Sequence, residues 1–166
     1  MPRAQGFPPV AGPDARILIL GSMPGERSLA AQQYYAHPRN AFWPIMGALL
    51  GFDAASDYAQ KTRALISGRI ALWDVLDSCV RPGSLDADID ATTAKANNFE
   101  DFFRRHPQIT RVYFNGTTAE TYYRRHVRPL RDADLRRYTC LPSTSPAHAS
   151  VPYQRKQEAW RAIQTD

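Results

Sequence analysis

The 166-residue chain has only two cysteines, Cys79 and Cys140, and three lysines, Lys61, Lys95 and Lys156. Two thiols make neither a disulfide framework nor a four-cysteine metal or iron–sulfur site, so both are expected to be buried and reduced. No His/Cys/Asp cluster has metal-ligand spacing, and no Walker or GxGxxG loop is present to cradle phosphates. Neither a metal nor any other cofactor is expected. No apolar run approaches the roughly 18 residues of a membrane-spanning helix. The start, residues 1–13, lacks the apolar core of a secretory signal. A cytoplasmic protein without a membrane partner is therefore expected.

What is present fits one ordinary domain, with 43 % apolar and 11 % aromatic residues. The Pro/Gly-rich residues 1–15 read as a flexible lead-in to a domain spanning 16–166. Net charge is +5, carried by eighteen arginines, nine of them between Arg104 and Arg137. Arginine suits bidentate phosphate contact; a solvated basic face is the competing reading.

Residues 16–20 and 70–76 are short apolar runs that read as buried strands, and 111–115 and 137–141 as two more. Between them lie helical patterns at 41–50, stopped by Gly51, and at 57–66, with Ser56 as its cap. Residues 99–106 form a short helix capped by Asn97 or Asn98. Gly116 opens another to about His126, with Thr117 and Glu120 as a capping box. A closing helix spans 152–163, and 79–90 reads as a loop. Strands alternating with helices predict an α/β domain: a central four-stranded, mainly parallel sheet with helices on both faces. The segment after Leu20, Asp74, Asn115 and the loop after Leu141 should then meet at the carboxyl rim of the sheet, where such folds bind ligands.

Two segments are distinctive: Gly21-Ser22-Met23-Pro24-Gly25, and Tyr34-Tyr35-Ala36-His37-Pro38-Arg39-Asn40-Ala41-Phe42-Trp43. Together they resemble the first motif of the uracil-DNA glycosylase superfamily, whose mismatch-specific members carry a Gly-x-Asn-Pro-Gly turn and an aromatic-Ala-His-Pro-x-Asn-x-Phe-Trp segment. Met23 stands where those members have Asn. With the later Leu141-Pro142-Ser143-Thr144-Ser145-Pro146-Ala147-His148-Ala149, this departure resembles the hypoxanthine-DNA (deoxyinosine) glycosylase branch. The resemblance implies a base-excision repair enzyme that cleaves the N-glycosidic bond of a deaminated base flipped out of DNA, hypoxanthine first and uracil second. It implies DNA as the partner, and a monomer is expected. The alternatives are a uracil or G:U mismatch glycosylase, a non-catalytic DNA-binding member of the fold, which Met23 makes credible, and more remotely a free-nucleoside hydrolase.

The resemblance also distributes roles. Tyr35 would stack on the flipped base, unless it or Tyr34 simply packs in the core. Asn40 would orient the attacking water, since a thioether at Met23 is a poor acceptor; capping the following helix is its other reading. Asp74, alone in an apolar strand, would accept the base N–H and oppose the developing sugar cation, or act structurally. Ser22 and Met23 would line the base site from the turn. Asn115 would read the base edge or turn the chain. His148 would meet the base or the duplex, or remain a solvated loop histidine. Ser143, Ser145, Pro146, Ala147 and Arg39 would contact DNA. His37 would shape its loop, and His106 and His126 would end helices. With no lysine in these loops, Schiff-base lyase chemistry is not expected.

Overall fold

The computed structural model describes residues 3–128 and 134–165. In chain order its strands are β1 (Ala4–Gln5), β2 (Ile17–Gly21), β3 (Ile70–Asp74), β4 (Leu76–Val80), β5 (Asp90–Ala96), β6 (Arg111–Asn115) and β7 (Arg137–Leu141). The four expected strands form a parallel sheet of order β3-β2-β6-β7. The helices are α1 (Glu26–Ala31), α2 (Phe42–Leu50), α3 (Tyr58–Ser67), α4 (Phe99–Arg105), α5 (Thr117–His126), α6 (Tyr153–Trp160) and α7 (Ala162–Thr165).

The uniformly apolar β2 has a simple cause. Successive side chains of a strand point to opposite faces, and both faces of this one are covered. Leu18 and Leu20 join Val112, Phe114 and the aromatic residues of α4 and α5 in one core. Ile17 and Ile19 join Tyr113, Phe42, Met46, Leu65 and Trp160 in the other. The site's loops therefore rise from a sheet clamped on both sides.

Several local expectations change. The second strand stops at Asp74, because Val75 N–H donates to the Gly21 carbonyl and Leu76 N–H to that of Ser22. The chain then enters an antiparallel sheet of order β1-β4-β5, which takes only the ends of the loop expected at 79–90 and leaves 81–89 as the connection between β4 and β5. Asp57, not Ser56, caps α3 by accepting from Gln60 N–H at 2.8 Å. Asn98 caps α4. No side chain caps α5, which starts at Gly116 with φ 95°. The closing helix divides at Arg161 into α6 and α7.

From Arg3 on, the lead-in expected to be flexible is hydrogen-bonded to the domain instead. Besides the β1–β4 pairing, Val10 bridges Leu72. The Trp73 indole donates to the Phe7 carbonyl and the Tyr34 hydroxyl to that of Pro8. The arginine-rich stretch also lands away from the expected rim. Residues Arg104 and Arg105 end α4, Arg124 and Arg125 end α5, and Arg136 and Arg137 enter β7, all at the amino end of the sheet. Several are paired there, Arg104 and Arg105 with Asp101, Arg124 with Glu120 and Arg136 with Asp134. Arg131 and Asp132 lie outside the described residues.

Deleting residues 1–9 removes the acceptors of Trp73 and Tyr34 and uncovers both rings. We expect a loss of about 2–4 kcal/mol in urea unfolding. An unchanged midpoint would show that this segment adds nothing to the fold.

Candidate active site

The strand register aligns the rim. Gly21 lies beside Asp74, and Asn115 beside Leu141. Gly21 is where a side chain would do damage: a Cβ there would stand 2.5 Å from Asp74 Oδ1 and 2.9 Å from the Tyr35 hydroxyl. Glycine thus allows the carboxyl and the phenol to converge over the end of β2.

Tyr35 is held in the left-handed region, φ 55°, and its ring stacks on Phe42 at 4.2 Å. Its neighbour Tyr34 is buried in the core, which leaves Tyr35 as the stacking candidate. Burial, then the charge of Asp74, pushes the Tyr35 hydroxyl well above its ordinary pKa, so it stays a proton donor. Asp74 is 4 % exposed. Burial first and the Asp86 carboxylate second push its pKa up to about 7, against the opposing pull of Arg81.

The segment after β4 closes over the Gly21–Gly25 turn through three contacts. Arg81 donates from Nη2 to the Pro24 carbonyl and from Nε to that of Gly83. Glu26 N–H donates to Ser84 Oγ at 2.8 Å, and Ser22 Oγ donates to Asp86 Oδ1 at 2.6 Å. Arg81 is 7 % exposed and was legible in the sequence only as part of the loop at 79–90. Its burial beside two carboxylates is what no linear pattern announces.

The second loop is tied to the first. Ala41 N–H donates to the Thr144 carbonyl at 3.0 Å. The Asn115 amide grips Thr144 twice, donating to Oγ1 and accepting from its N–H, both at 2.9 Å. Ser143 Oγ accepts from Ser145 N–H, and Ser145 Oγ from Ala147 N–H. Trp160 donates from Nε1 to the Pro142 carbonyl at 2.9 Å. Lys156, on α6 and outside these loops, is buried and reaches the Ser145 carbonyl at 3.4 Å.

The expected residues fall into three groups. Tyr35, Asp74, Asn115 and the loop from Ser143 gather on one rim, and Asn40 joins them through the Ala41–Thr144 bond. Asn40 Oδ1 accepts from Phe42 N–H at 2.9 Å, the capping contact that was its alternative reading. A carbonyl oxygen has two lone pairs, so one remains. The Asn115 amide is engaged with Thr144 and Ser22 with Asp86, which differs from direct base contact for both. Met23 packs in the core with Leu20 and Trp73. Arg39, Ala147 and His148 are exposed and Pro146 is half-buried, as surface contacts require. His37 Nδ1 accepts from Arg39 N–H within its loop.

Five buried side-chain polar atoms lack a hydrogen-bond partner among the described residues. Three of them, the Tyr35 hydroxyl, Asp74 Oδ2 and Arg81 Nη1, belong to this cluster. Orphaned buried donors and acceptors are costly and rare. Three in one cluster leave donors and acceptors there without a protein hydrogen bond. Among the described residues no group of His, Cys, Asp or Glu is placed to hold a metal ion, and no helix is long and apolar enough to cross a membrane.

Because the folded carboxyl of Asp74 has a raised pKa, it stabilises the fold fully only below the unfolded value. That contribution is lost as pH rises through about 7. Asp74→Asn should therefore raise stability at pH 8 relative to pH 4, on the order of 4 kcal/mol at most. Equal effects at both pH values in urea unfolding would show that Asp74 is not perturbed.

A sequence model of the uracil DNA glycosylase superfamily matches residues 8–164. A hypoxanthine DNA glycosylase of Methanosarcina barkeri is 39 % identical over 121 residues, covering 72 % of this chain and 75 % of its own. One from Methanosarcina acetivorans is 34 % identical over 160 residues, covering 96 % of each. A solution NMR structure from Methanosarcina acetivorans, described as a candidate uracil DNA glycosylase, superposes with a TM-score of 0.81 at 33 % identity, over 97 % of this chain and 96 % of that one. Matched along nearly its whole length in sequence and in fold, the chain belongs to the uracil DNA glycosylase superfamily.

Proposed function

We propose that the protein is a monofunctional DNA glycosylase of base-excision repair, acting in the cytoplasm as a metal-free monomer. Its substrate is a deaminated base flipped out of DNA, hypoxanthine first and uracil second. The observation that carries this reading is the cluster of orphaned polar atoms on Tyr35, Asp74 and Arg81 at the rim. The relatives named as hypoxanthine DNA glycosylases support the choice of base.

A base within a duplex is out of reach, and extruding it costs a few kcal/mol. Stacking on an aromatic ring returns roughly 1–3 kcal/mol, and Tyr35 supplies the ring. Asp74 reads the base edge. Hydrolysis at C1′ passes through a cation-like state that needs an aimed water more than a strong nucleophile. The remaining lone pair of Asn40 Oδ1 aims it. The loop at 145–148, exposed at Ala147 and His148, and Arg39 meet the DNA backbone. Lys61 lies over the Trp43 ring and Lys156 holds the Ser145 carbonyl, so neither amine is presented as a Schiff-base nucleophile.

Oligonucleotides holding one deoxyinosine, one deoxyuridine or only normal bases, treated with alkali after incubation, test the reading. Strand breaks at deoxyinosine are expected, with fewer at deoxyuridine and none without alkali. Breaks mainly at deoxyuridine would make the protein a uracil glycosylase, and DNA binding without breaks a non-catalytic member. Asn40→Ala should lower the single-turnover rate by about 10²–10³, as losing one preorganised polar group does. A change in thermal stability alone would reduce Asn40 to a helix cap.

A further inference from the structure

Asp74 is unusual in what surrounds it. Its Oδ2 is buried and unpartnered. None of the ion pairs among the described residues includes it. Its Oδ1 lies against the bare Cα of Gly21, beside the Tyr35 hydroxyl. The titratable groups facing it are Asp86 and Arg81 from the segment after β4, and Tyr34, Tyr35 and Tyr58 from the opposite side. The three tyrosines stay neutral, held protonated by burial. Asp86 repels a second negative charge, and Arg81 spends Nη2 and Nε on backbone carbonyls. A carboxylate so placed has no counter-ion in contact, and the unpartnered donors of the cluster, the Tyr35 hydroxyl and Arg81 Nη1, make no hydrogen bond to it.

We propose that Asp74 meets the base as a carboxylic acid, accepting the ring N–H of a lactam edge while its own O–H donates to the adjacent exocyclic oxygen. The inference rests on the glycosylase reading above and specifies how that site recognises its substrate. Hypoxanthine presents the edge as N1–H beside O6, and uracil as N3–H beside O4. A carboxylate would accept only the N–H and would set its second oxygen against the carbonyl lone pairs. The acid satisfies both atoms with two parallel hydrogen bonds, and no proton leaves it. It also favours departure of the base. As the glycosidic bond breaks, the base gains negative charge, part of it on the exocyclic oxygen. An O–H donor there strengthens as that charge grows, whereas an anion would oppose it.

The consequence is an alkaline limb with a defined owner. Single-turnover rates on a deoxyinosine oligonucleotide should hold steady on the acid side and fall about tenfold per pH unit as Asp74 ionises. Asp74→Asn keeps one acceptor and one donor but does not titrate. It should run several-fold slower than wild type at pH 6 and show no such fall. Asp74→Ala should be slower still, by about 10². The proposal is overturned if the fall persists in Asp74→Asn, if the wild-type rate rises with pH through this range, or if Asn is no better than Ala. Should the wild type cleave neither deoxyinosine nor deoxyuridine, the glycosylase reading has failed by itself. The ¹³Cγ resonance of Asp74, followed in the free folded protein, then decides the protonation state separately. A midpoint near 7 upholds the acid, and one in the ordinary carboxylate range, about 4, overturns it.

Discussion

The site depends on one enforced proximity, that of a carboxyl and a phenol across a glycine with no side chain to separate them. Gly21 ends the most deeply buried strand of the sheet, and its missing Cβ leaves the space into which Asp74 and Tyr35 converge. Each has a buried oxygen, the Tyr35 hydroxyl and Asp74 Oδ2, that makes no protein hydrogen bond, although the Asn115 amide lies close to the phenol. Such an arrangement opposes folding, because desolvated polar groups cost free energy unless paired. It persists because a two-sided core surrounds β2 and its neighbours, and a polar ligand is what would relieve it.

The loops around this point are fixed by backbone carbonyls more than by ion pairs. Arg81 fastens the Pro24 carbonyl, Asn115 fastens Thr144, and Trp160 and Lys156 fasten Pro142 and Ser145. The anchors come from the segment after β4, from β6 and from α6, so three separate parts of the chain hold the rim. The surface that would face a duplex is left to Arg39 and the exposed end of the second loop. The arginine-dense edge lies at the other end of the strands, where much of its charge is paired with Asp101, Glu120 and Asp134. Whole-chain basicity is thus a poor guide to where DNA would lie.

What could be read from the sequence follows from what is local. β2 and β3 were legible because their apolar runs are nearly continuous, as burial on both faces demands, whereas β7, Arg-Tyr-Thr-Cys-Leu, is only partly buried. The convergence of Asp74, Asn115 and the Ser143 loop followed from strand direction alone, and Tyr35 was reached only through the resemblance of its segment to the superfamily motif. The antiparallel sheet was not legible, because β5 reads Asp-Ala-Thr-Thr-Ala-Lys-Ala, is largely exposed and carries no alternation. The N-terminal segment misled through its prolines and glycines, although its contacts are made by carbonyls that no residue type reveals. Arg81 was hidden for a related reason: its importance lies in burial and in a long-range bond to Pro24. Asn115 and Ser22 were placed on the right rim, but their partners, Thr144 and Asp86, depend on loop geometry that spacing does not encode.

The central claim concerns where a base would sit. The direct measurement is a crystal structure of the Asn40→Ala protein bound to duplex DNA with a single deoxyinosine. The account predicts the hypoxanthine ring extruded, lying against Tyr35, with its N1 and O6 edge within hydrogen-bond distance of Asp74. A base left stacked in the duplex, or one bound with Asp74 and Tyr35 facing elsewhere, would contradict it.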